Sequence, residues 1–247
     1  MPSTGLGLPD SVRACLFDLD GVLTRTATVH MAAWKRTFDE YLRSTDPDAR
    51  PFDQEDYNRY VDGKPRADGV RDFLASRGVT LPEGEAGDAS GAATVQGIAA
   101  RKNVLVLREL DEHGVEVYPG SVRYLRAVKE AGLPAAVVTA SANGEQVIAA
   151  AGFADLIDAR IDGVVAARDS LRGKPAPDTF LAGARALGVT PAEAVVFEDA
   201  QSGVAAGRAG EFGYVVGVDR VGQADALAAA GADVVVPDLA ELLGGAS

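Results

Sequence analysis

The chain has a single cysteine, Cys15, set in an apolar run, so no disulfide can form within it and a cysteine-rich zinc site is excluded. Positive charge is scarce: 24 Lys and Arg stand against 36 Asp and Glu, for a net charge of -12. Such a surface repels nucleic acid and anionic membranes, whose phosphates need a basic partner. A small anionic substrate could be held only where a few cations are concentrated. No apolar run approaches the roughly 20 residues of a membrane-spanning helix. Met1 to Asp10 lacks a basic stretch followed by an apolar core, so no secretory signal is read there and a cytoplasmic location is expected.

What is present is the composition of a globular protein. Of 247 residues, 47% are hydrophobic and 24% charged, enough for one large domain or for a core carrying a smaller insert. Short apolar runs of strand length occur at 14–17, 135–138, 194–197, 214–218 and 234–236. Ala-rich stretches of helical spacing lie between them, at 122–131, 145–151, 178–187 and 224–230. Strand and helix alternating in this way predict a parallel sheet covered on both faces, an α/β Rossmann-like core. Gly132, Gly152, Gly188 and Gly231 each follow a helical stretch, as helix C-caps do.

The region from about 25 to 112 reads differently. It lacks apolar strand runs and carries helical stripes: Met31, Trp34, Phe38 and Tyr41; then Val70, Phe73 and Leu74; then Val95, Ile98, Leu105 and Leu110. A Pro/Gly/acid-rich connector, 81–91, lies between the second and third. The expected organisation is a core of 1–24 and 113–247 with an all-helical cap, 25–112, inserted after the first strand.

Three strand runs end in reactive side chains: Phe17-Asp18-Leu19-Asp20-Gly21, Val138-Thr139-Ala140-Ser141 and Phe197-Glu198-Asp199. Ligands of open α/β sheets bind outside the carboxyl ends of strands, so these tips can share one crevice. Asp18 and Asp20 are two apart and project to one side in extended backbone, where they repel unless a cation or proton separates them. With Glu198 and Asp199 they make an all-oxygen set, which suits Mg2+ rather than zinc or copper. Taken alone, Asp-x-Asp-Gly could equally be a turn or a helix cap; three acid- or hydroxyl-tipped strands together favour the site.

Asp18-Leu-Asp-Gly-Val-Leu-Thr24 resembles the first motif of the haloacid dehalogenase superfamily. Thr139, Lys174 within Gly-Lys-Pro-Ala-Pro-Asp, and Glu198-Asp199 match its second, third and fourth motifs in order, over about 12–217. An insert directly after the first motif marks the helical-cap subgroup. The resemblance implies phosphoryl transfer in which Asp18 attacks phosphorus and becomes an aspartyl-phosphate, and Asp20 protonates the leaving oxygen and later deprotonates the attacking hydroxyl. It implies Mg2+ held by Asp18, the main-chain carbonyl of Asp20, Asp199, and Glu198 directly or through water. Thr139 would bond a phosphoryl oxygen, Lys174 would neutralise charge on phosphorus, and the Lys174-Pro175 bond would be cis. As plain alternatives, Lys174 could be a solvated loop charge and His30 an exposed helix residue.

Within the superfamily the cap looks like that of β-phosphoglucomutases. Thr26 and His30 follow the first motif at that family's spacing, Gly63-Lys-Pro-Arg66 is similar to its cap loop, and Ala100-Arg-Lys102-Asn103 to a further cap motif. Tyr118-Pro119-Gly120 and the segment Thr139-Ala140-Ser141-Ala142-Asn143-Gly144 continue the match. The resemblance implies a second phosphate site of Arg66, Ser141 and Asn143, substrate contacts at Thr26, Gly63, Lys102 and Ala140, and a proton-transfer role for His30, with Lys102. It implies a sugar-phosphate substrate: β-glucose 1-phosphate and glucose 6-phosphate interconverted through the 1,6-bisphosphate. The Asp62-Gly-Lys-Pro-Arg66 loop looks like the branch that accompanies disaccharide phosphorylases. Asp62, Ala142 and Arg25 depart from the pattern, the first two standing where it has lysines and the third where it has an acid; Lys64 would compensate. A hydrolytic sugar-phosphate phosphatase, with Asp20 activating water, and a non-catalytic phosphosugar-binding module are the other readings, and Arg66 could instead be a surface residue paired to Asp62 or Asp68. A monomer is expected, since the cap already covers the site.

Overall fold

Five apolar runs of the sequence become strands of one parallel sheet, and a sixth strand joins them. In the computed structural model, which describes residues 5–244, the strands are β1 (Ala14–Phe17), β2 (Ala135–Val138), β3 (Ala159–Ile161), β4 (Ala194–Glu198), β5 (Tyr214–Val218) and β6 (Val234–Val236). Their spatial order is β3-β2-β1-β4-β5-β6, every neighbour parallel. The chain winds outward from β1 in both directions, so the order reverses beside β1 and β4, where such sheets place their ligands.

Helices cover both faces of the sheet, so its strands are apolar on both sides rather than alternating. Every residue of β1, β2 and β4 is buried. One face packs Leu16, Ala136, Val138, Val196 and Val215 on Phe180 and Phe212. On the other, register-paired Phe17 and Phe197 stack at 4.4 Å between centroids, and Tyr124 meets both edge-on. Each such ring contributes about 1.5–3 kcal/mol by leaving water. The Tyr124 hydroxyl, which could not be buried unbonded, donates to the Leu6 carbonyl at 2.8 Å.

The chain divides into two compact units, residues 1–25 with 115–247, which hold the sheet, and 26–114. The second unit is helical, with Thr26–Thr45, Arg66–Ser76 and Val95–His113 as its long helices. Trp34, Phe38, Phe52, Val70, Phe73, Leu74, Val95 and Ile98 form its buried cluster, with Met31 and Tyr41 half-buried beside it. A single π turn, Tyr57–Val61, in which the Asp62 N–H reaches back to the Tyr57 carbonyl at 3.0 Å, leads into Gly63 at φ +69°.

Candidate active site

Asp18 follows the last residue of β1 and is held in line with β4 by its N–H, which donates to the Phe197 carbonyl at 2.9 Å. Its carboxylate accepts from Lys174 Nζ at 2.5 Å. The same ammonium donates to Glu198 Oε1 at 2.6 Å and to the Val138 carbonyl at 3.2 Å, tying the tips of three strands. Lys174 follows Gly173 and precedes a cis Pro175, and its side chain is 1% exposed. Burial alone would strip its proton, but the charges of Asp18 and Glu198 outweigh burial and hold it firmly ammonium. Burial pushes the Asp18 carboxyl above its usual range; Lys174 opposes that rise, and the charges of Glu198 and Asp20 add to it.

Glu198 and Asp199 are adjacent, and alternation in extended backbone sends them to opposite sides. Glu198, expected to reach a cation directly or through water, is committed on both oxygens: Oε1 to Lys174, and Oε2 to the Ala200 N–H at 2.8 Å. It is fully buried and packed on Gly203, where a Cβ would lie 1.7 Å from Oε1. Its work in this geometry is to anchor Lys174. The Asp199 carboxylate instead lies against Gly21, whose φ is +95° and where a Cβ would fall 1.8 Å from Oδ2. Only glycine lets the loop carrying Asp20 come so near that carboxylate.

Thr139 ends β2. Its hydroxyl donates to Asp20 Oδ2 at 3.1 Å and accepts the Ser141 N–H at 3.0 Å. The Ser141 hydroxyl accepts the Asn143 N–H at 3.2 Å, and helix Gly144–Ala151 begins there with no side chain capping its first amides. These N–H groups, at the positive end of a helix, suit an anion. The turn after β3 buttresses this loop: Gly163 donates to the Ser141 carbonyl at 2.9 Å, and a Cβ on Gly163 would come within 2.9 Å of the Ala140 carbonyl oxygen.

In the helical unit, His30 Nδ1 lies 2.7 Å from Lys102 Nζ, and Lys102 is buried with its ammonium 5.2 Å from the Trp34 ring centre. With Lys102 as donor, the ring proton sits on Nε2. Thr26 is buried at the start of its helix. Arg66 opens helix Arg66–Ser76 after Pro65. Asp68 pairs with Arg71 rather than with Arg66, and burial lowers Arg66's hold on its proton. Lys64 is bonded to Asp72 at 2.6 Å, which occupies the cation expected to compensate for the lost lysines.

Asp18, Asp20, Thr139, Lys174, Glu198 and Asp199 therefore cluster at the tips of β1, β2 and β4, with Ser141 and Asn143 beside them. Arg220, which the sequence reading passed over, donates from Nε to the Gly21 carbonyl at 2.9 Å. Nothing near position 220 signals that contact in the sequence.

Among the described residues no group of three or more His, Cys, Asp or Glu side chains is gathered to hold a metal ion. The expected four-carboxylate cluster is reduced because Lys174 takes Glu198 and one Asp18 oxygen, and Thr139 takes an Asp20 oxygen. Magnesium asks for less than a cage: one or two carboxylates, with waters and substrate phosphate completing its shell. Asp18 and Asp199 are carboxylates of the kind that shell takes, and Gly21, next to Asp20, lies against the Asp199 carboxylate.

Residues 12–210 match the family model described as haloacid dehalogenase-like hydrolase. A β-phosphoglucomutase of Mycobacterium bovis is 54% identical over 246 residues, covering 96% of this chain and 94% of that protein. A validoxylamine A 7'-phosphate phosphatase of Streptomyces hygroscopicus subsp. limoneus is 31% identical over 93% of this chain and 95% of its own. Among solved structures, a β-phosphoglucomutase from Clostridium difficile superposes with a TM-score of 0.73 at 26% identity, covering 94% of this chain and 93% of that one. No helix among the described residues is long and apolar enough to cross a membrane.

Proposed function

The chain belongs to the haloacid dehalogenase-like hydrolase family, and we propose that it acts as a β-phosphoglucomutase, interconverting β-glucose 1-phosphate and glucose 6-phosphate. The observation that carries this reading is 54% identity to a β-phosphoglucomutase across 96% of the chain, joined to a buried Lys174 bonded to Asp18.

Asp18 is the nucleophile. In the reading, its free carboxylate oxygen attacks a phosphorus of β-glucose 1,6-bisphosphate; the Asp18 O–P bond forms, the sugar O–P bond breaks, and Asp20 gives its proton to the departing sugar oxygen. When the phosphoryl group taken is the one on C1, the glucose 6-phosphate so formed leaves, and β-glucose 1-phosphate enters and presents its free 6-hydroxyl to the aspartyl-phosphate. Asp20 takes that proton back, the sugar oxygen attacks phosphorus, and Asp18 is released with the bisphosphate restored. The hydrogen bond from Thr139 to Asp20 orients the carboxyl that does both transfers. Lys174 spreads positive charge over the transferring group, and Glu198 keeps that ammonium in register.

Asp18, Asp199 and the Asp20 carbonyl would hold Mg2+, which when bound screens the charge of nucleophile and phosphate from each other. Arg66, whose planar fork suits a phosphate, is assigned to the non-reacting phosphate together with Ser141 and Asn143. His30 and Lys102 are assigned to support of Asp20's proton transfers. Thr26, Gly63 and Ala140 are assigned to the sugar's surroundings.

A hydrolase is the second reading, favoured by the likeness to a validoxylamine A 7'-phosphate phosphatase and by Asp62 and Ala142 where the mutase pattern has lysines. One assay divides them. With Mg2+, β-glucose 1-phosphate and a trace of the 1,6-bisphosphate, glucose 6-phosphate without phosphate release supports the mutase. Stoichiometric phosphate release overturns it in favour of the hydrolase.

A further inference from the structure

The loop after β1 satisfies part of its own backbone. The Gly21 N–H donates to the Thr24 carbonyl at 2.8 Å, the Leu23 and Thr24 N–H groups reach the Leu19 carbonyl at 3.0 Å, and Tyr118 donates to the Leu23 carbonyl at 3.0 Å. The carbonyls of Gly21 and Val22, both buried, are answered from a distant part of the sequence. Arg220 donates from Nε to Gly21 at 2.9 Å and from a terminal nitrogen to Val22 at 3.2 Å. That nitrogen also reaches Ser121 Oγ at 3.0 Å, and the other bonds the Pro237 carbonyl at 2.6 Å. The guanidinium lies 3.6 Å from the centre of the Tyr118 ring, so one face as well as its edges is held.

The turn that bears Arg220 is itself braced. Asp219 Oδ1 accepts the N–H groups of Val221, Gly222 and Gln223 at 2.8–3.2 Å. From the same turn, Gln223 donates to the Asp199 carbonyl at 2.9 Å. One loop after β5 thus grips both acidic strand tips, Arg220 on the Asp20 side and Gln223 on the Asp199 side. We propose that Arg220 is a positioning residue for phosphoryl transfer: its grip on the Gly21 and Val22 carbonyls fixes the backbone that carries Asp20 and keeps Gly21 seated on the Asp199 carboxylate. A lysine could not replace it, because a point ammonium cannot bridge several carbonyls in a plane. This rests on the functional reading above.

The test compares wild type, Arg220→Ala and Arg220→Lys in two measurements: Mg2+ affinity of the enzyme without substrate, by titration calorimetry, and kcat and KM with β-glucose 1-phosphate. Arg220→Ala is expected to lose about 10- to 100-fold in Mg2+ affinity. Its kcat is expected to fall about 100-fold, with KM near wild type, and methylguanidinium is expected to restore part of it. Arg220→Lys is expected to fall between the two. A variant whose thermal midpoint drops while affinity and kcat stay at wild-type values overturns the proposal, since that is a purely structural arginine. If Arg220→Ala does not fold, Arg220→Lys decides alone, and wild-type affinity and kcat in it overturn the proposal. Wild type that neither binds Mg2+ nor turns over the sugar phosphate refutes the functional reading and this role with it; an active wild type with unimpaired variants refutes only the role.

Discussion

Replacing Lys174 by methionine separates the two jobs that residue performs. The side chain is 1% exposed, and its partners Asp18 and Glu198 are 8% and 0% exposed, so methionine fills the space but leaves two buried carboxylates facing each other. Removing one partner of a buried pair costs about 3–5 kcal/mol, chiefly because the other is left uncompensated. Adding Glu198→Gln removes one of the stranded charges, and the amide oxygen can still accept the Ala200 N–H. Urea unfolding followed by circular dichroism should therefore find Lys174→Met destabilised by that amount at neutral pH and the double variant largely recovered. The deficit of the single variant should shrink as pH falls, because burial already pushes Asp18 toward its protonated form. Turnover should behave differently. Loss of a fixed positive group at the transferring phosphoryl costs about 10²–10³ in kcat, and the double variant should not regain it. A single variant as stable as wild type, or a double variant with wild-type kcat, refutes the reasoning.

Gly203→Ala drives a Cβ to 1.7 Å from Glu198 Oε1; it should cost about 1–3 kcal/mol and abolish most activity by displacing the anchor of Lys174. Gly188→Ala, at φ +72° with nothing within 4 Å, should cost about 1–2 kcal/mol and leave kcat intact, which turnover of the refolded variants checks. Arg66→Ala should raise KM for the 1,6-bisphosphate about 10- to 100-fold, the worth of a charged hydrogen bond, and raise the ratio of phosphate released to glucose 6-phosphate formed; unchanged values would remove Arg66 from the site. Burial pushes the Cys15 thiol up, so it stays neutral in the fold. A thiol reagent should label it no faster than the chain unfolds. Stability should be whole below the free thiol's value of about 8.5 and decline as pH rises beyond it, a decline that Cys15→Ala should lessen in urea titrations on either side of that value.

The sheet was legible because a doubly covered strand must be apolar on both faces, as Ala14–Phe17 and Ala135–Val138 are. β3 was not: Ala159–Ile161 is three residues long, half-exposed at the sheet edge, and carries Arg160 in its middle. The acidic tips were legible as types, not as partners. Two consecutive acids, Glu198 and Asp199, look alike as text, and only the end of β4 decides that one turns to Lys174 and the other to Gly21. Arg220 escaped notice because its contacts join positions about 200 residues apart in sequence, with no local pattern to betray them. The pairing of Lys64 with Asp72 was hidden for a related reason: the π turn before Gly63 sets where that loop points, and periodicity does not announce a π turn.

The central claim is that Asp18 carries the phosphoryl group. Rapid quenching of enzyme mixed with radiolabelled β-glucose 1,6-bisphosphate, followed by borohydride trapping and peptide mass spectrometry, addresses it most directly. The account predicts label on the peptide containing Asp18, trapped at that residue, formed and discharged at rates that support turnover, and absent from Asp18→Asn. Label on another residue, or full turnover by Asp18→Asn, would contradict it.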